Sequence, residues 1–243
     1  MSKLSDRIRK KKRPYCAFVV VAAGSSTRMA GEDKLFLPLD GKPLLAVTLC
    51  ALEQCEAVDE IVVVTRQESL DPIGALREEY GLSKVKKLIL GGACRTESSL
   101  AGALAVSGGA SLIGIHDGAR PFVTEKVVND AVHLASSTHA AAPALPLKDT
   151  VKVAQNGVVT ATPDRSTLYA IQTPQVFRAE LIRAALTKAV RAGISYSDDC
   201  GAMEALGCPV HLSEGDEDNI KITTPADLYL ARAILEKRKE RKP

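Results

Sequence analysis

Four runs of strand length, each followed by a segment long enough to be a helix, restrict this chain to a small set of folds. They are Ala17–Val21, Glu60–Thr65, Val85–Leu90 and Ser111–His116. The first is wholly apolar, the second and fourth have apolar centres, and none of the three shows a strict in-out alternation. A strand of that kind is covered on both faces, as in a parallel sheet wrapped by helices. The intervening segments Pro43–Glu56, Ser69–Tyr80, Thr96–Ser107 and Thr124–Ser136 carry helical periodicity. Pro43 sits in a first turn, Gly81 follows a last one, and Thr96 is a candidate cap. With a further extended run at Ala140–Leu147, the rhythm predicts an α/β fold: a doubly wound, mostly parallel twisted sheet with helices on both faces. At 46% hydrophobic residues and no Trp, the 243-residue chain fills such a core with Ala, Val and Leu.

The rhythm then changes. Residues 150–162 alternate apolar and polar side chains about Asn156-Gly157, a strong two-residue hairpin signal. A hairpin placed so late in a parallel-sheet domain is expected to project as an arm; an edge hairpin of the same sheet is the alternative. Residues 167–177 contain Gln172-Thr173-Pro174-Gln175 and read as either a lid or a connector. Helices are expected at Arg178–Ala192, Asp198–Leu206 and from Thr224-Pro225 to the basic end. Short strands are expected at Pro209–Ser213 and Asn219–Thr223, on either side of the acidic turn 214–218. The domain reading is a basic, disordered extension at 1–13 followed by one domain at 14–243, with the arm at about 148–165.

The formal charge of +3 is an end effect. Residues 7–13 and 236–242 hold dense Lys and Arg, and the body between them is net acidic. Without interleaved aromatic residues, such ends are poorly suited to stack bases, so no nucleic-acid partner is expected. No apolar stretch reaches the ~20 residues of a membrane span, and no transit or signal pattern stands out. Cys16, Cys50, Cys55, Cys94, Cys200 and Cys208 form no C-x-x-C pair, and His116, His133, His139 and His211 are scattered without ligand spacing. Reduced core thiols in a cytoplasmic protein are the expectation.

Chemistry is concentrated where strands end. After Val21 come Ala22-Ala23-Gly24-Ser25-Ser26-Thr27-Arg28, then Lys34. Small residues bare the backbone N–H groups and two fixed cations follow, a combination suited to phosphates at the carboxyl end of a strand. The loop matches neither G-x-x-x-x-G-K-[ST] nor G-x-G-x-x-G, which disfavours P-loop hydrolysis and hydride transfer. Gly91-Gly92 leads through Arg95 to Ser98-Ser99 and either lets backbone approach a flat base or ribose or is a simple turn before a helix. His116-Asp117-Gly118-Ala119-Arg120 puts a carboxylate and a guanidinium at the next strand end. There they serve either as ligand groups, for a magnesium ion, a sugar hydroxyl or a phosphate, or as a structural cap and ion pair. His116 reads as a packed strand residue rather than a base. Lys221, flanked by Ile220 and Ile222, reads as an edge-strand Lys or as one facing an anion. The set is rich in cations and poor in proton-transfer groups, a balance suited to phosphoryl or nucleotidyl transfer.

In this order the motifs resemble the 2-C-methyl-D-erythritol 4-phosphate cytidylyltransferases. The resemblance runs from about Pro14 to Leu235. It rests on residues 22–29, Asp33-Lys34, Gly91-Gly92 with Arg95 and Ser98, 116–121, 147–152, Asp164-Arg165, 173–175 and 214–223. It implies a Rossmann-like nucleotidyltransferase fold with a protruding β-arm, a homodimer joined through that arm, and transfer of a cytidylyl group from CTP to methylerythritol phosphate with Mg²⁺. Carried over by motif, Arg28 and Lys34 would hold the triphosphate and stabilise the α-phosphorus, with Lys221 between the two substrates. Ala22, Ala23, Gly24, Gly92 and Ser98 would surround the nucleotide, with Asp117 beside it. Gly118 and Arg120 would serve the acceptor, together with Thr150 and Arg165 of a partner's arm. The metal is expected to ride on the CTP phosphates, its protein ligands unassigned. Ala93 stands where the family often has an acidic residue, so no side-chain contact to ribose is expected there. A cytidylyltransferase for another polyol phosphate, such as ribitol 5-phosphate, is the near alternative. A non-catalytic nucleotide-binding module is the distant one.

Overall fold

The computed structural model describes residues 13–24 and 33–240. In chain order the strands and helices begin with β1 (Cys16–Val21), a small hairpin β2 (Pro38–Leu39) and β3 (Lys42–Pro43), α1 (Leu44–Gln54), β4 (Glu60–Thr65), α2 (Leu70–Glu79) and β5 (Val85–Leu90). Then come α3 (Arg95–Ala105), β6 (Leu112–Asp117), α4 (Glu125–Thr138) and β7 (Ala140–Pro146). The arm is β8 (Val153–Gln155) and β9 (Val158–Ala161). The chain ends with β10 (Tyr169–Ile171), β11 (Gln175–Arg178), α5 (Ala179–Arg191), α6 (Cys200–Ala205), β12 (His211–Glu214) and α7 (Pro225–Glu240).

One eight-stranded sheet runs in the order β10-β7-β11-β6-β1-β4-β5, with β12 also paired to β7. β1 lies parallel to both β4 and β6, and β4 lies parallel to β5. β11 is antiparallel to β6 and to β7, and β12 is parallel to β7. Side chains of each central strand feed two cores. Phe18 and Val20 of β1, with Ile61 and Val63 of β4, pack under α1, α4 and α7. Val19, Val62 and Val64 pack under α3, α5 and α6. Burial on both faces explains why these strands read as nearly unbroken apolar runs.

The order also fixes where a ligand can enter. From β1 the chain moves outward through β4 and β5, then returns to the opposite side of β1 at β6. That reversal opens a crevice beyond the carboxyl ends of β1 and β6. Residues 22–24 and 117–121 both begin there.

The arm is a separate two-stranded sheet, so the projecting form holds over the edge hairpin. Its turn needs left-handed backbone at Asn156 (φ 50°) and Gly157 (φ 80°), as an Asn-Gly turn supplies. Three expectations need correction. Residues 167–177 are neither lid nor plain connector: they hold β10 and β11, which both pair along β7, with Gln172 N–H donating to Pro143 O between them. Residues 219–223 form no strand, because their backbone bonds go to a loop; Ile222 N–H donates to Ala119 O at 2.9 Å. The cap of α3 is Cys94, while Thr96 lies inside the helix and its hydroxyl accepts from Tyr196 N–H. α4 is capped by Thr124, whose hydroxyl accepts from Val127 N–H.

Candidate active site

Two adjoining cavities lie over the crevice. The larger, about 490 Å³, is lined by Ala22, Ala23, Gly24, Lys34, Gly92 and Ser98 among others. The smaller, about 350 Å³, is lined by Arg120, Thr173, Gln175, Ser197 and Asp198. Arg95, Asp117 and Lys221 line both, and so stand where the cavities meet. A further hollow of about 640 Å³ lies by Ser111 and Ala179, away from the crevice. Its arginines are engaged: Arg13 with Asp59, Arg178 with Glu180, and Arg183 with Ala103 O.

The larger cavity owes its shape to small residues. Ala22 N–H donates to Val64 O at 2.7 Å, seating the start of the loop on β4. A Cβ added at Gly91 would lie 2.6 Å from Ala23 Cβ and 2.7 Å from Ser98 Oγ, so only glycine lets these walls approach. Ser98 Oγ accepts from Gly92 N–H at 3.1 Å and donates to Cys94 O at 3.0 Å. Ser98 therefore shapes the glycine loop as well as lining the cavity. Glu97 accepts from Ala93 N–H at 2.7 Å, which leaves residue 93 a backbone role.

Lys34 opens a short 3₁₀ turn capped by Asp33, whose carboxylate accepts from Leu35 N–H and pairs with Arg66. Lys34 Nζ donates to Ile222 O at 2.9 Å, tying the loop after β1 to residues 219–223. Arg28 lies outside the described residues.

At the end of β6, Asp117 is 7% exposed and meets three cations. Lys221 Nζ lies 3.0 Å and Arg120 Nε 3.4 Å from Oδ2, and Arg95 Nη2 lies 3.7 Å from Oδ1. Burial pushes the carboxyl pKa up, but Lys221, Arg95 and Arg120 outweigh it and hold it at about 2. Burial lowers the Arg120 pKa despite the Asp117 charge. Arg120 also donates to Asn219 O at 2.7 Å, so the 117–120 loop and the segment carrying Lys221 are laced together.

His116 is fully buried. Its Nε2 faces Arg120 O at 3.3 Å, and a carbonyl can only accept, so Nε2 carries the proton. Nδ1 then accepts from the Thr173 hydroxyl at 3.1 Å, and that hydroxyl oxygen accepts from Asp117 N–H. Burial lowers the imidazole pKa to about 4 against the pull of Asp117. The ring is a neutral packing and hydrogen-bonding group.

Not every expected residue reaches the cavities. Gly118 is buried beneath them, its N–H donating to Val21 O and its carbonyl accepting from the Thr48 hydroxyl. Thr150 and Arg165 lie exposed near the arm, and Arg165 donates to Lys148 O beside a separate hollow. The structure also brings in groups that sequence reasoning left out: Arg95 as a lining residue, Ser197 and Asp198, and Thr173 and Gln175 in a lining role. Ser197-Asp198-Asp199 carried a signal, short polar residues ahead of a helix, but that pattern reads as an ordinary cap.

A doubly wound sheet with a glycine-lined cavity at its reversal point, opening onto a cluster of cations, defines a nucleotidyltransferase. The family model described as 2-C-methyl-D-erythritol 4-phosphate cytidylyltransferase matches residues 16–237, and the chain belongs to that family. The enzyme of that name from Halalkalibacterium halodurans is 44% identical over 224 residues, covering 92% of this chain and 98% of the relative. The one from Caldanaerobacter subterraneus subsp. tengcongensis is 42% identical, covering 90% and 98%. Among solved structures, 4-diphosphocytidyl-2C-methyl-D-erythritol synthase from Anaerococcus prevotii aligns with TM-score 0.82 at 30% identity, covering 92% of this chain and 96% of its own. The cytidylyltransferase from Thermus thermophilus aligns with TM-score 0.74 at 33% identity, covering 90% and 98%.

Proposed function

We propose that this chain joins CTP to 2-C-methyl-D-erythritol 4-phosphate, giving 4-diphosphocytidyl-2-C-methyl-D-erythritol and pyrophosphate. The observation that carries the reading is the shared wall of the two cavities, where Arg95, Asp117 and Lys221 lie between a glycine-lined chamber and a polar one. The nucleotide occupies the first, with its phosphates toward Lys34; the resemblance assigns Arg28, outside the described residues, to the same triphosphate. The acceptor occupies the second, beside Arg120 and Thr173. Its phosphate oxygen attacks the α-phosphorus as the bond to the β-phosphate breaks, and pyrophosphate leaves. A phosphate monoester is largely dianionic at neutral pH, with a second pKa of ~6, so no general base is required. The cations let the two anions approach and stabilise charge as it develops.

Mg²⁺ fits this site as a passenger on the nucleotide. Asp117 already faces three cations, and among the described residues no cluster of three or more His, Cys, Asp or Glu side chains could hold a metal. Bound to phosphate oxygens, the ion would neutralise charge on the triphosphate. The working form is a homodimer in which each arm brings Thr150 and Arg165 to the partner's acceptor. Exposed Val153, Val158 and Val159 on the arm, and a place for Arg165 in the lining of a separate hollow and of neither crevice cavity, support this. The setting is the cytoplasm, supported by six free cysteines; no helix among the described residues is long and apolar enough to cross a membrane. The core, arm included, is one domain.

Pyrophosphate release with CTP and Mg²⁺ tests the reading. Methylerythritol phosphate should be used far faster than ribitol 5-phosphate, and the reverse preference would overturn the assignment. Mixing Lys34→Ala and Arg165→Ala subunits should restore turnover, because one composite site in each mixed dimer is then wild type. No recovery would refute the shared site.

A further inference from the structure

We propose that Arg95, held by the buried carboxylate of Asp199, is a positioning residue that sets Lys221 at the junction of the two substrates. The inference rests on the function proposed above. Asp199 is 0% exposed, and its ion pair is with Arg95 Nη1 at 2.7 Å. Its backbone is fixed as well: Gln175 Oε1 accepts from Asp199 N–H and Cys200 N–H, and Gln175 Nε2 donates to Asp198. The anion is therefore a rigid post at the start of α6. Arg95 is the first residue of α3, and its other terminal nitrogen reaches Oδ1 of Asp117. One planar guanidinium thus ties the starts of α3 and α6 to the end of β6.

Stability alone gives a weak account of such a pair, since buried ion pairs can often be replaced by apolar residues without loss. Geometry gives a better one. Lys221 and Arg120 both hold Oδ2 of Asp117, while Arg95 holds Oδ1. A guanidinium facing Oδ1 at 3.7 Å favours one rotation of the carboxylate by its charge, and hence one place for the Lys221 ammonium on Oδ2. Without a counter-ion, Arg95 would be a third positive charge repelling Lys221. Asp199 neutralises it and leaves its orientation. A lysine could not do this, because a point charge does not span two carboxylates in a fixed plane.

The test removes the pair as a unit in the full chain, Arg95→Met with Asp199→Leu, so that no buried charge is left alone. Circular dichroism and thermal melting should match wild type closely. Turnover should fall on the order of 10- to 100-fold, the effect of a small misplacement at a reacting centre. The Michaelis constant for CTP should change by less than about 3-fold, because interactions made in the transition state rather than with bound nucleotide are lost. Combined with Lys221→Gln, the pair deletion should cause no further fall. A folded pair-deleted enzyme with wild-type turnover would overturn the proposal, as would effects that multiply with those of Lys221→Gln. Unchanged turnover in Lys221→Gln alone would overturn the reading of the site, and this inference with it. Should the pair-deleted chain not fold, Asp199→Asn decides: reduced turnover with an intact melt supports the role, and unaltered turnover refutes it.

Discussion

Lowering the pH should weaken the fold through His116 in a window set by its burial. The imidazole is fully buried, and its pKa falls from the ordinary 6.5 to about 4. Burial is the main cause, aided by the positive charges of Arg120 and Lys221 and opposed by Asp117. A protonated ring would also need both nitrogens to donate, whereas Nδ1 accepts from Thr173 in the native arrangement. Between pH 6.5 and 4 the unfolded chain therefore binds a proton that the native chain does not. Stability falls as pH drops through that interval and gains no further slope from this group below it. At roughly 1.4 kcal/mol per pH unit, the gap amounts to about 3 kcal/mol. Carboxylates titrate in the lower part of the window, so the measurement is a difference. Urea unfolding of wild type and His116→Gln from pH 7.5 to 4 should show the wild-type advantage shrinking by about that amount. Parallel curves would refute the reasoning. So would a His116 imidazole resonance titrating near 6.5 in the folded protein.

Three further outcomes are expected. Lys34→Ala should lower turnover by on the order of 10²–10³, the usual effect of removing one donor aimed at transition-state charge; the pyrophosphate-release rate reads it. Asp117→Asn should cost about 3 kcal/mol in urea unfolding, because Arg95, Arg120 and Lys221 would then face one another without their shared anion. Gly91→Ala should cost about 1–3 kcal/mol and raise the Michaelis constant for CTP, since the new methyl would press on Ala23 and Ser98; a variant with wild-type melting and kinetics would contradict the packing described here.

The legible parts of the sequence were those where one physical rule acts alone. β4 runs over the expected residues, because two-sided burial demands an apolar run whatever else the chain does. The arm was legible from Asn156-Gly157, because few other pairs sit comfortably in that turn. Lys221 was placed on a strand because Ile220 and Ile222 flank it in strand-like alternation. The structure sends the backbone there to Ala119 O and leaves Lys34 Nζ on Ile222 O, a tertiary choice that periodicity does not record. β10 was missed for a related reason. Tyr169–Ile171 is short and mostly exposed, and its pairing with β7 depends on residues more than twenty positions earlier. Asp199 falls within the helix expected at 198–206 and nothing in the local pattern marks it as buried; only its distant partner Arg95 reveals a buried charge.

Exposure separates the cations at the junction into two kinds. Arg120 and Arg95 keep 11% and 21% of their side-chain surface and are each bound elsewhere, to Asn219 O and to Asp199. Lys221 keeps 41%, and its ammonium rests on Asp117. When substrate phosphates enter, each carrying more negative charge than one carboxylate, they compete with Asp117 for these cations. The two arginines are held in place by second partners, so they act as fixed charge. Lys221 is the most exposed of the three, and in the proposed reaction it meets the phosphates from its place on Asp117 as charge gathers on the α-phosphorus. Asp117 offsets part of the mutual repulsion of these cations and, in the proposed reaction, keeps Lys221 at the junction. That division explains why a site made for two anions contains a buried carboxylate at its centre.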